Sequence, residues 1–173
     1  LRKNEMASAI TSLDRAIGTL PTDRLAYRWQ ADLRMQWGEQ RWKQGDKEGA
    51  HALLEQGLAL LNQAKEAGLH HVTLLRRRIF LHNLRARLFN DPKDAILATN
   101  LTRQVLRQNP SSIQDHRFAA DMHWSLGQFD QACELYQRCL QLSNQAYLDP
   151  AKQLTESDRQ EIEKRLAIHR PAQ

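Results

Sequence analysis

The amino-acid sequence predicts an all-α chain built as a row of antiparallel helix pairs. Three observations carry that expectation. Among 173 residues only 7 are glycine and 5 proline, too few for the turn-dense connections of an all-β fold. Glutamine, leucine, alanine and arginine, all good helix formers, dominate the composition. And the layout of Gln36 to Leu61 returns in Phe118 to Leu142: a helical segment, a short glycine-bearing turn and a second amphipathic helix.

The two segments match position by position. In the first, Gly45-Asp46 precedes Ala50, Leu54 and Gly57; in the second, Gly127 is followed at the same offsets by Ala132, Tyr136 and Cys139. Small residues at the outer two positions let helices approach closely, and the larger one between them fills the groove. This pattern resembles the tetratricopeptide repeat (TPR), a helix-turn-helix unit of about 34 residues. Trp37-Gly38 stand where that family prefers leucine and glycine, and Ala119-Ala120 and Phe129 also fall in register. The resemblance implies a right-handed α-solenoid of about three TPR-like repeats, a partial N-terminal repeat and a C-terminal capping helix.

Taken in order, residues 1–22 are the second helix of a partial repeat, with Ala9, Leu13, Ala16 and Pro21 at its expected offsets. A repeat spans 31–64. An irregular one spans 69–110, with Asn90-Asp91 at its turn and Ala95 at its small position. The step from Ala31 to Arg76 exceeds the standard period, so QAKEAGLHHVT extends the flanking helices. DAILATNLTRQVLRQNP runs on to Pro110, about a turn beyond the pattern. A further repeat covers 113–146. Residues 154–170 open on a Thr-x-x-Asp capping signal, are strongly charged, and read as the solvent-facing end cap that an open helical array needs. The whole reads as a single domain over 1–173.

The net charge of +5 is concentrated in one place. The stretch HHVTLLRRRIFLHNLRARLF, residues 70–89, holds five arginines and no acid. With Arg76 at zero on a helical wheel, Phe89, His82, Leu75, Ala86, Ile79, Val72 and Asn83 fill an arc from about 220° to 340°. Phe80, Leu84, Leu88, Leu81 and Leu74 fill a second, from about 40° to 160°. Arg76 and Arg87 lie in one seam between the arcs, Arg78 and Arg85 in the other, and Arg77 within the second arc. A helix that reads DNA needs its cations together on one exposed side. Two apolar faces with charged seams suit a helix packed among neighbours on one side and lining a groove on the other.

By the repeat register, Ile79, His82, Asn83 and Ala86 are packing positions, whereas Arg77, Phe80, Leu84, Arg87 and Leu88 face the concave groove. The corresponding groove positions are Asp32, Met35, Glu39, Trp42 and Lys43 in the repeat before, and Gln114, Arg117, Asp121, Trp124 and Ser125 in the repeat after. From these the expected partner site is Met35, Glu39, Trp42, Arg77, Phe80, Leu84, Arg87, Arg117, Asp121 and Trp124. Aromatic anchors flanked by arginines suit an extended or helical peptide. The alternative, that Trp42 and Trp124 simply pack into the next repeat, stands equally open. The lysine-and-asparagine clamp with which related domains hold chaperone C-termini has no counterpart in Met35, Gln36 and Glu39.

No phosphate-cradling glycine loop, His-Glu-x-x-His, Cys-x-x-Cys or nucleophile elbow occurs. His70 and His71 diverge by about 100° on a helix, and His116 and His123 lie two turns apart, so surface and capping roles are expected of them rather than metal binding. Cys133 and Cys139, about 9 Å apart along a helix axis, cannot pair and are expected as buried free thiols. These readings converge on a non-enzymatic interaction scaffold that takes a protein or peptide in its groove, needs no cofactor or metal, and belongs to a larger protein. The alternative is a binder of nucleic acid or another anionic polymer through the arginine-rich helix. No apolar run approaches the ~20 residues of a membrane span, and free thiols favour the cytoplasm. Because the chain begins with Leu1, a leader or membrane segment lost upstream would instead place it in the periplasm.

Overall fold

The computed structural model describes residues 3–146, Asp149 and 153–169. Residues 1 and 2 of the partial repeat and residue 170 of the cap lie outside them. Among the described residues there is no strand, and the chain forms α1 (Lys3–Thr19), α2 (Arg24–Lys43), α3 (Lys47–Glu66), α4 (Val72–Phe89), α5 (Pro92–Gln108), α6 (Ile113–Ser125), α7 (Phe129–Gln145) and α8 (Glu156–Ile168). The chain divides into two compact units, 1–98 and 99–173, with the boundary inside α5.

In the first unit the ends of the helices are written locally. Asp23 and Asp46 accept the backbone N–H of Leu25 and Gly49 at the starts of α2 and α3, satisfying donors that a helix N-terminus otherwise leaves unpaired. Gly45 takes φ +84°, a left-handed turn that folds α3 back along α2. Close approach follows from Gly38, where an added Cβ would sit 2.9 Å from Leu54 Cδ2. The core gathers Ile17 of α1, Ala26, Tyr27 and Ala31 of α2, Leu54, Leu58 and Leu61 of α3, and Leu74, Leu81 and Leu84 of α4. α4 packs on both α2 and α3.

Three boundaries differ from the sequence reading. α2 starts at Arg24, seven residues ahead of Ala31, because Asp23 supplies the cap. The segment QAKEAGLHHVT extends α3 to Glu66 and gives Val72 onward to α4, but Ala67–His71 form a connection turned by Gly68 at φ +81°. α5 stops at Gln108 and, at 17 residues, is no longer than α7; the break comes ahead of Asn109-Pro110, as expected before proline.

The second unit repeats the pairing. Ser112 caps α6 through the N–H of Asp115, and Gly127 at φ +73° turns the chain from α6 into α7. Ile113, Ala120, Ala132, Tyr136, Cys139 and Leu142 form its core, joined by Leu154 and by Ile162 of α8. Thr155 Oγ1 accepts the N–H of Asp158 and starts α8 where the Thr-x-x-Asp signal placed it. The cysteines are both free; Cys139 is buried, with its thiol pushed up to about 12 by desolvation, whereas Cys133 is half-buried rather than fully enclosed.

Candidate functional site

α2 and α4 bring seven of the ten expected groove residues onto the first unit. Arg77 of α4 reaches Asp32 of α2, Nε to Oδ1 2.5 Å with Nη2 donating to Oδ2 at 3.2 Å, and its guanidinium stands 5.8 Å from the Phe80 ring centroid. Asp32 also faces Arg28 one turn back, at 3.8 Å. Leu84 is buried in the core and Met35 is packed against it. Glu39 and Phe80 are half-buried, and Arg87 is exposed. Trp42 stands edge-on to Phe89 at the end of α4, with Lys47 Nζ 5.3 Å from its ring centroid.

In the second unit Arg117, Asp121 and Trp124 all meet α8 or its C-cap. Arg117 pairs with Asp158 at 2.6 Å and with Glu161 at 3.3 Å. Asp121 accepts from Arg165 at 2.7 Å and from the Tyr136 hydroxyl at 2.6 Å. Arg165 also donates to the Tyr136 hydroxyl and holds Glu161 at 2.6 Å. Trp124 is edge-on to Phe129 and to His169, and His169 stacks on Phe129 with centroids 4.0 Å apart. Burial opposes charge on Asp158, but hydrogen bonds from Thr155 and Arg117 outweigh it and hold the carboxyl below its ordinary value. Desolvation, with Asp121 adding to it, drives the Tyr136 phenol strongly upward, so it stays a neutral donor.

The two tryptophans thus do the same thing in each unit. Trp42 meets the last residue of α4 and Trp124 meets the C-cap of α8, so both pack into the helix that follows their pair. Of the two readings open for them, the packing one describes their contacts.

The arginine-rich helix spends its cations inside the first unit. Arg85 binds Asp94 at 2.9 Å and Glu55 at 3.5 Å, Arg77 binds Asp32, and burial weakens the hold of Arg78 on its proton. Of its five arginines only Arg87 is exposed. Ile79, His82, Asn83 and Ala86 are buried, as the wheel required. His82 Nδ1 lies 2.6 Å from Asp94 Oδ1, and desolvation leaves the imidazole below its ordinary value despite that carboxylate. The sequence reading missed this His82–Asp94–Arg85 cluster. Its one local signal was an acid in the first turn of α5, which a helix N-terminus accommodates in any case.

His71 Nδ1 accepts the N–H of Thr73 and caps α4, the kind of role expected of it, whereas His116 and His123 are buried rather than at the surface. Among the described residues no group of three His, Cys, Asp or Glu is placed to hold a metal ion, and no helix is long and apolar enough to cross a membrane. No family model matches the chain, and no curated protein matches it. Among solved structures, a thermophilic TPR protein of Thermus thermophilus is similar, with a TM-score of 0.55 and 17% identity, covering 95% of this chain and 92% of that one. The chain therefore has an all-α, TPR-type helical-repeat fold.

Proposed function

We propose that the chain is a non-enzymatic interaction scaffold that docks a peptide segment of a partner protein on the α2/α4 face of its first unit. The observation that carries this reading is the placement of Arg77. Asp32 fixes its guanidinium beside Phe80, while Arg87, further along the same helix, is exposed to solvent. A pre-oriented arginine costs a ligand less ordering than a free one, and a guanidinium matches carboxylate or backbone carbonyl groups geometrically. Phe80 adds apolar contact area, and Glu39 offers a carboxylate for a basic or amide group of the ligand. The TPR-type fold supports the reading, because helical-repeat arrays present extended faces of this kind.

Selection of a displayed peptide library on the chain tests the assignment. Selected peptides lose at least an order of magnitude in affinity on Arg87→Glu and on Phe80→Ala, each about 1.4 kcal/mol or more. Peptides that bind both variants as well as the wild type would remove this face as the site. Trp42→Ala and Trp124→Ala are poor probes, since their loss of binding would report lost packing.

A further inference from the structure

Within the second unit, α8 holds toward α6 and α7 the place that α4 holds toward α2 and α3. By the repeat register Arg117, Asp121 and Trp124 correspond to Met35, Glu39 and Trp42; all three of the second set, and Trp42 of the first, meet the helix that follows or its cap. The two helices are held very differently. α4 buries Leu74, Ile79, Leu81, Leu84 and Ala86, whereas α8 buries Ile162 alone. Beyond Ile162, half-buried Leu166 and the His169 stack on Phe129, the attachment is polar: Asp158 and Glu161 on Arg117, Arg165 on Asp121 and Tyr136, Arg159 on Asn144 at 3.0 Å. Partly exposed ion pairs of this kind contribute little net stability each and weaken with salt.

We infer that the α6/α7 face under α8 is an exchangeable helix-docking site, and that its ligand is an acidic amphipathic helix of a partner protein. This extends the scaffold reading to a second face. The entering helix places one β-branched or leucine side chain where Ile162 sits, between α6 and α7. It presents carboxylates three residues apart to Arg117, as Asp158 and Glu161 do, and one cation to Asp121. α8 is the resident occupant and sets the threshold a partner helix must beat. The basic side of the site, Arg117, and its acidic side, Asp121, fix which way the helix runs.

A fluorescein-labelled peptide of residues 153–169 is the probe, followed by anisotropy on the full chain. In the wild type α8 competes with it. Ile162→Asp in the chain loosens α8 without touching the face, and the probe then binds about tenfold tighter or better, the gain being the inverse of the open fraction before substitution. Adding Arg117→Glu to that variant abolishes binding, and a probe carrying lysine in place of Asp158 and Glu161 restores it. Equal affinity for wild type and Ile162→Asp, or binding indifferent to Arg117→Glu, overturns the proposal. So does exchange of α8 between two copies, seen as a dimer by sedimentation, because the occupant would then be this chain. If Ile162→Asp loses its helical circular dichroism, amide hydrogen exchange on the wild type decides: α8 must open with α6 and α7 still protected, and equal protection of all three sinks the idea. Arg87→Glu leaves probe binding unchanged, so failure of the first-unit site and failure of this one are read separately.

Discussion

The Trp42 ring stands 4.9 Å from that of Phe89, with the planes at 79°, and so ties the C-terminal end of α2 to the C-terminal end of α4. His51 of α3 meets the same phenyl ring at 5.0 Å and 83°. Three helices of the first unit therefore converge on Phe89. Edge-to-face pairs contribute about 0.5–1.5 kcal/mol beyond the area they bury. Trp42→Ala and Phe89→Ala should each lower the stability of the first unit by about 2 kcal/mol, below the full cost for a completely buried aromatic because both rings are partly exposed. The double variant should lose about 1 kcal/mol less than the sum. Urea unfolding of the four proteins measures this; strict additivity would mean the rings pack independently.

Gly38 sets how closely α2 lies on α3. A methyl group there would stand 2.9 Å from Leu54 Cδ2 and 3.1 Å from its Cγ, and Leu54 is fully buried with nowhere to turn. Alanine favours a helix over glycine by about 1 kcal/mol, but overpacking a tight contact costs about 1–3 kcal/mol. Gly38→Ala should therefore destabilise by about 1 kcal/mol, the net of those two effects. Gly57→Ala meets the Leu81 methyls at 3.2 Å, a milder crowding, and should be close to neutral. Thermal or urea midpoints of the two variants separate the cases, and a stabilised Gly38→Ala would show that the helices part freely.

Asn90 ends α4 in the left-handed region, at φ 53° and ψ 41°. Asparagine tolerates that conformation, glycine suits it better, and a β-branched residue is strained there. Asn90→Gly should leave stability unchanged or slightly raised, whereas Asn90→Val should cost about 1–2 kcal/mol. Equal midpoints for the two variants would mean that the turn adopts another conformation in solution.

Local chemistry carried most of what was legible in the sequence. Thr155 before Asp158, Asp46 after Gly45 and Gly127 ahead of Phe129 each fix a helix end through atoms a few residues apart, so reading them needs no tertiary knowledge. The start of α2 was less legible because the repeat register is anchored on Ala31, whereas the cap that starts the helix is Asp23, outside that register. The contacts that decide what the groove residues do are of another kind. Arg77 meets Asp32, and Arg165 meets Asp121, across sequence separations of 45 and 44 residues. Whether such a side chain faces ligand or neighbour depends on the crossing of two helices, which a wheel drawn for one helix does not contain. The same limit hid the cluster at Asp94, whose partners lie on α4.

Two buried histidines give the fold a pH dependence whose sign follows from their surroundings. Burial holds His82 below the ordinary histidine value, outweighing the hydrogen bond and charge of Asp94, with Arg78 and Arg85 adding to the depression. Burial likewise lowers His123, against the hydrogen bond to Gln128 at 2.6 Å and with Arg103 adding to the effect. In the unfolded chain both titrate near pH ~6.5. Between that value and the lower folded ones the unfolded state binds more protons, so stability is fully present above pH ~6.5 and is lost as pH falls through the folded values. Each unit of depression is worth about 1.4 kcal/mol. Urea midpoints should therefore fall between pH ~7.5 and ~5.5, two values that bracket the unfolded titration near pH ~6.5. The paired substitutions His82→Asn and His123→Asn should flatten that fall while lowering the midpoint at pH ~7.5, because Asp94 and Gln128 lose their ring partners. An undiminished slope in the double variant would mean that these two histidines are not its source.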